Sequence, residues 1–134
     1  MSEREADALV IFGITGDLAR KQTFRSLYRL ERRGLLDLPV IGVARQDLTD
    51  DDLRGRAREA IEQTGEDIDD TVFKRFAEKL TYVNGDFDGD DLYSSVATAL
   101  GDHHNPVFYL EIPPSLFATV VEGLAKAKLV SDGQ

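Results

Sequence analysis

Ala8-Leu9-Val10-Ile11-Phe12-Gly13-Ile14-Thr15-Gly16-Asp17-Leu18-Ala19-Arg20-Lys21 begins with five apolar residues and breaks off at a glycine. A short apolar run rich in β-formers reads as a strand buried on both faces. From Leu18 the spacing becomes helical, with Phe24, Leu27, Tyr28 and Leu30 on one face until Gly34 offers a left-handed stop. Strand therefore passes into helix through a glycine loop. In such a loop Gly13 lets the chain turn sharply off the strand. Gly16 keeps side-chain atoms out of the space where a pyrophosphate approaches backbone N–H groups at the helix start. Thr15 can add a hydroxyl donor to a phosphate oxygen, and Asp17 sits where an N-cap would order the turn. The spacing is G-x-x-G rather than the full G-x-G-x-x-G, so its context carries the dinucleotide reading. The other reading of the same loop is a tight strand-to-helix turn in a plain α/β domain, holding no ligand.

Working outward, Pro39-Val40-Ile41-Gly42-Val43-Ala44 is a second continuous apolar run. One helix separates it from the first, which fits a right-handed parallel crossover. Leu53, Ala57, Ala60 and Ile61 mark a further helix, and Val72, Phe73, Phe76 and Leu80 another. Leu80-Thr81-Tyr82-Val83 reads as strand three. A helix over Leu92, Val96 and Leu100 leads to Val107-Phe108-Tyr109-Leu110, expected as a fourth buried strand. Pro113-Pro114 then opens a helix carrying Leu116, Phe117, Val120, Val121 and Leu124. The alternation specifies an α/β, Rossmann-like doubly wound parallel sheet, one domain over residues 1–134.

Past strand two, an NAD-specific fold usually offers an acidic residue to the adenosine ribose. Here the strand ends in Ala44-Arg45-Gln46. A carboxylate would repel a ribose 2′-phosphate, whereas a guanidinium grips it with paired charged hydrogen bonds. Arg45 therefore favours NADP over NAD. The rest of the composition narrows the function classes. Of 134 residues 42% are hydrophobic and 31% charged, the net charge is −9, and there is no cysteine. A disulfide framework, a zinc-thiolate cluster and a thiol nucleophile are excluded. The negative charge argues against nucleic acid or anionic membrane as partner, so a phosphate-bearing ligand needs a local cradle. No apolar run approaches a membrane span, and nothing in Met-Ser-Glu-Arg-Glu-Ala-Asp marks export, which makes the cytoplasm the expected location. The acidic stretches Asp47–Asp52, Glu66–Asp70 and Asp86–Asp91 are expected as caps and turns.

These residues carry a family resemblance. Gly13 to Lys21 resembles the Gly-x-Ser/Thr-Gly-Asp-Leu-Ala-Lys/Arg-Lys/Arg signature of glucose-6-phosphate dehydrogenases. Gly42-Val43-Ala44-Arg45, Tyr82-Val83-Asn84-Gly85-Asp86-Phe87 and Phe108-Tyr109-Leu110-Glu111-Ile112-Pro113-Pro114-Ser115-Leu116-Phe117 resemble three further blocks, in family order. The resemblance implies that Gly13, Ile14, Thr15, Gly16, Asp17 and Leu18 hold the pyrophosphate of NADP. It further implies that Arg45 and Gln46 hold the 2′-phosphate, that Asp86 and Phe87 border the adenosine, and that Pro113 lies beside the nicotinamide. The full family enzyme oxidises glucose 6-phosphate to 6-phosphogluconolactone, passing hydride to NADP in the pentose phosphate pathway, and leaves room for a homo-oligomer.

The sequence also departs from that family. The family's Glu-Lys-Pro-Phe-Gly and Arg-Ile-Asp-His-Tyr-Leu-Gly-Lys blocks, which supply sugar-phosphate ligands and the catalytic Asp-His pair, are not in these 134 residues. A coenzyme part without its substrate domain is therefore expected, inactive alone and with no catalytic residue of its own. The alternative is a stand-alone NADP-binding sensor or interaction module. His103 and His104 sit in Gly-Asp-His-His-Asn-Pro and are expected on a surface loop away from the ligand. Gln22 stands where the family has a third basic residue. Glu111 stands where it has a small one, and could cap the helix near Pro113.

Overall fold

The computed structural model describes residues 6–16 and 22–129, and its sheet is built around the first apolar run. β1 (Ala8–Phe12) is buried at every position. It pairs in parallel with β2 (Val40–Ala44), Leu9 opposite Val40, and on its other side with β4 (Pro106–Leu110), Leu9 opposite Val107. β3 (Leu80–Asn84) adds to the far edge of β2, Val40 opposite Leu80. The order β3-β2-β1-β4 is that of a Rossmann-type half-sheet.

Parallel neighbours need crossovers, so helices cover both faces. Alternate residues of β1 separate into the two cores. Leu9 and Ile11 pack with α1 (Phe24–Arg32), α2 (Asp50–Gln63) and α3 (Asp70–Lys79). Ala8, Val10 and Phe12 pack with α4 (Asp90–Leu100) and α5 (Phe117–Lys126). A short 3-10 turn, Pro114–Leu116, leads into α5. Two of the three acidic stretches cap helices, and the third follows a glycine N-cap. Thr49 and Asp52 form a capping box at α2, and Asp69 accepts from the N–H groups of Thr71 and Val72 at α3. Asp90 and Asp91 fill the first turn of α4. Among the described residues no helix is long and apolar enough to cross a membrane.

Two expectations are corrected. Leu30 does not share the buried face of α1. It is 37% exposed, and Glu31 is buried in its place at 3%. Residues 24, 27, 28 and 31 follow the i, i+3, i+4, i+7 stripe, which position 30 leaves. Glu31 is tolerated inside because Arg75 (3.2 Å) and Lys79 (2.5 Å) on α3 both donate to its carboxylate. Lys79 also donates to the Leu36 carbonyl, tying α1, α3 and the approach to β2 together. The second correction concerns β4, which is not buried on both faces: Val107 is 40% and Tyr109 54% exposed. Among the described residues the strand is last in the sheet order and pairs with β1 alone. The helix start read at Leu18 lies outside the described residues.

Candidate functional site

In an open parallel sheet, ligands bind beyond the carboxyl ends of the strands where the winding reverses. Here that point lies between β1 and β4. Gly13 leaves β1 with φ +89° and donates its N–H to the Val43 carbonyl at 2.7 Å. A Cβ on Gly13 would run into the Glu111 carbonyl oxygen and, at 3.0 Å, the Ile112 side chain. Glycine is thus required twice over, by the left-handed backbone and by the close approach of β4. Ile14 points the other way. Its side chain is fully buried, and a Cβ on Gly42 would meet it at 2.9 Å. The loop is therefore pinned down by Ile14 as a plug, with the N–H of Ile14 on the Val43 carbonyl at 3.3 Å.

The N–H of Gly16 closes the turn on the Gly13 carbonyl at 2.9 Å. The N–H groups of Gly13, Ile14 and Gly16 are thus all used within the protein. A pyrophosphate would depend on the donors that follow, where Asp17 and Leu18 lie outside the described residues. Thr15 and the exposed Gly16 border a cavity of about 400 Å³ against α2.

Glu111, at the end of β4, does not cap the helix near Pro113. Pro113 itself occupies the N-cap of the 3-10 turn, with no side-chain cap. The Glu111 carboxylate instead accepts from the Thr23 hydroxyl at 2.5 Å, joining the end of β4 to the start of α1. Its N–H continues the ladder to the Phe12 carbonyl at 2.8 Å. Glu111 is therefore a strut of the crevice between β1 and β4. Pro113, two residues further on, is exposed.

The loops after β2 and β3 come together on the other side of β1. Arg45, Asp86 and Phe87 line one cavity of about 280 Å³, with Leu116 and Thr119 opposite. Phe87 is buried at its floor, with its ring edge-on to Phe12 at 5.9 Å. Arg45 Nε lies 3.5 Å from the Asp86 carboxylate. Gln46 is exposed, and its carbonyl accepts from the Tyr82 hydroxyl at 2.6 Å. In the same way the Phe87 carbonyl accepts from Tyr93 at 2.5 Å. Burial pushes both phenols up, Tyr93 to about 12, so both stay protonated donors at neutral pH. Two tyrosines thus hold the two loops that line this recess. The residue reading missed both, because an i-to-distant-loop hydrogen bond leaves no local signature.

The histidines are far from this end. His103 Nδ1 is 2.8 Å from the Leu100 carbonyl, and the N–H of His104 donates to Asp7, ahead of β1. Both belong to the amino-end loops, as expected. Among the described residues no group of three or more His, Asp or Glu could hold a metal ion.

The family model "Glucose-6-phosphate dehydrogenase, NAD binding domain" matches residues 10–134. The chain belongs to this family. It is 54% identical over 125 residues to glucose-6-phosphate 1-dehydrogenase 1 of Mycobacterium tuberculosis, covering 93% of this chain and 27% of that protein. It also superimposes on the crystal structure of a glucose-6-phosphate 1-dehydrogenase from Mycobacterium avium. There the TM-score is 0.91 at 59% identity, with 95% of this chain and 28% of that one covered. A glucose-6-phosphate dehydrogenase solved with its substrate glucose 6-phosphate matches with a TM-score of 0.81 at 29% identity, over 96% of this chain and 28% of that one. The chain of this glucose-6-phosphate dehydrogenase family member thus spans about a quarter of its relatives' length. The match assigns it to their NAD-binding domain. The fit of residues to a dinucleotide is good: a loop that excludes side chains, a basic residue after β2 and an aromatic-floored recess.

Proposed function

We propose that this chain is the coenzyme-holding part of a glucose-6-phosphate dehydrogenase, and that the coenzyme is NADP. In the whole protein the bound nicotinamide would accept hydride from the anomeric carbon of glucose 6-phosphate, giving 6-phosphogluconolactone. The chain's own share is to bind and orient. Gly13 and Glu111 shape the crevice at the end of β1 and β4 in which the nicotinamide half would lie. Phe87 floors the recess for the adenosine, and Pro113 would lie on the nicotinamide side. The proton acceptor and the sugar-phosphate ligands must come from elsewhere in the longer protein, since His103 and His104 are held at the opposite end.

The observation that carries the choice of NADP is Arg45, placed directly after β2 beside the Asp86–Phe87 recess, with no carboxylate in Ala44-Arg45-Gln46. A ribose 2′-phosphate there would be met by a guanidinium. Calorimetry on Arg45→Ala with both coenzymes tests this. Arg45 is 71% exposed, so the lower end of a charged hydrogen bond's contribution applies. NADP binding should weaken roughly 10-fold, and NAD binding should hardly change. Equal losses for both would assign Arg45 a structural role and overturn the NADP reading.

A further inference from the structure

We infer that Arg56, on α2, is a second phosphate ligand of the dinucleotide, acting across the cavity that separates α2 from the glycine loop. The inference rests on the coenzyme reading above and adds a residue that no family block contains. Thr15 and Gly16 form one wall of that cavity, Arg56 and Glu59 the other, and Ile14 and Phe24 its floor.

Three observations converge on Arg56. The first is that no hydrogen bond or close ion pair among the described residues ties its guanidinium down, although its charge acts on Asp52. Arg54 donates to the Leu80 carbonyl at 3.0 Å and faces Asp51, and Arg58 is held by Asp70 at 2.7 Å and by Glu62. Arg56 has no hydrogen bond or ion pair within 4 Å among the described residues. The nearby acid Asp52 is already engaged in the capping box with Thr49. Its guanidinium is exposed beside the cavity and is free to turn to a ligand there.

The second observation is its position. The charge of Arg56 acts on Tyr82, whose hydroxyl holds the Gln46 carbonyl at 2.6 Å. Arg56 therefore stands opposite Thr15 across the cavity, with its charge felt at the tyrosine that holds the Gln46 carbonyl. The third is the state of Arg45 itself, whose charge is shared with Asp86 at 3.5 Å. A dianionic phosphate meeting Arg45 alone would also meet Asp86. Arg56 offers a second positive charge from the opposite wall, with no carboxylate as near to it as Asp86 is to Arg45 among the described residues. Glu59 in the same wall would repel a bare anion but can accept from a ribose hydroxyl, so the cavity's chemistry matches a sugar phosphate better than free phosphate.

The test is calorimetry of this chain, Arg56→Ala and Arg56→Lys with NADP and with NAD, alongside Arg45→Ala. Alanine is a good helix former, and circular dichroism of the variant should match the parent. Arg56→Ala should weaken NADP binding roughly 10-fold, with Arg56→Lys recovering part of it because charge returns without the planar fork. A loss confined to NADP assigns Arg56 to the 2′-phosphate, and an equal loss with NAD assigns it to the pyrophosphate. Unchanged affinity for both coenzymes overturns the inference while leaving a selective Arg45→Ala result intact. A parent chain that binds neither coenzyme overturns the coenzyme reading itself.

Discussion

Arg45 and Asp86 face each other across the mouth of the recess behind β2 and β3, Nε to carboxylate 3.5 Å, each with 71% of its side chain exposed. One comes from the loop after β2 and the other from the loop after β3. The residue proposed to read the 2′-phosphate thus has a carboxylate for company before any coenzyme arrives. An exposed pair of this kind contributes little to stability, at most about 1 kcal/mol, so its consequence is for ligand choice.

Removing that carboxylate should sharpen selectivity for NADP. In Asp86→Asn the dianionic phosphate no longer meets a like charge, and Arg45 is free to turn to it. Affinity for NADP should rise by roughly 3- to 10-fold with NAD unchanged, and the gain should shrink with added salt. Competition titrations at low and high salt would show it. A rise shared equally by both coenzymes would mean that Asp86 acts on the adenosine and not on the phosphate.

The two glycines of the loop should respond differently to the same change. Gly13→Ala puts a Cβ into the Glu111 carbonyl at a φ of +89°, a strained backbone and a clash together. A cost of roughly 2–4 kcal/mol follows. Gly16 has no positive φ, and among the described residues a Cβ there meets the Gly13 carbonyl alone, at 3.3 Å. Gly16→Ala should therefore cost clearly less, on the order of 1 kcal/mol or below. Urea unfolding of both variants decides the matter, and similar midpoints would contradict the close approach of β4 to Gly13.

Acid should release one tie between α1 and the loop ahead of α3. Arg29 first, and then Arg32, donate to Glu66 and hold its carboxyl below its ordinary 4.5. A lowered folded-state value means that the ion pair stabilises the fold above about pH 4.5 and that this contribution is lost as pH falls through the lower value. Glu66→Gln should be less stable than the parent at neutral pH, by on the order of 1 kcal/mol. The two melting curves should converge as the solution is acidified. A gap between them that stays constant down to acid pH would show that the carboxylate's charge is not what matters.

Much of the fold was legible without coordinates. The bounds of β1 coincide with the apolar run, β2 and β3 shift by one residue at an end, and two of the acidic stretches cap helices where capping chemistry places them. The site was legible where it depends on backbone shape or on residues next to a strand end. Gly13, Arg45, Asp86 and Phe87 stand at the carboxyl ends of their strands, as read. Gly16 was read as the residue the ligand demands, yet Gly13 is the one that the fold itself requires.

The amino-acid sequence by itself determined the strand–loop–helix order, the glycine turn, the caps and the basic end of β2, because propensity, periodicity and φ preference act within a few residues. Tertiary structure alone decided what those residues meet. Glu111 takes the Thr23 hydroxyl 88 positions away, Tyr82 and Tyr93 fasten the loops after β2 and β3, and Glu31 is buried because α3 brings Arg75 and Lys79 to it. It also left β4 at an edge and Arg56 facing the glycine loop. The physical reason is that a charge or hydroxyl is satisfied by whatever the packing of distant helices and strands places within about 3 Å of it, and no local pattern encodes that partner.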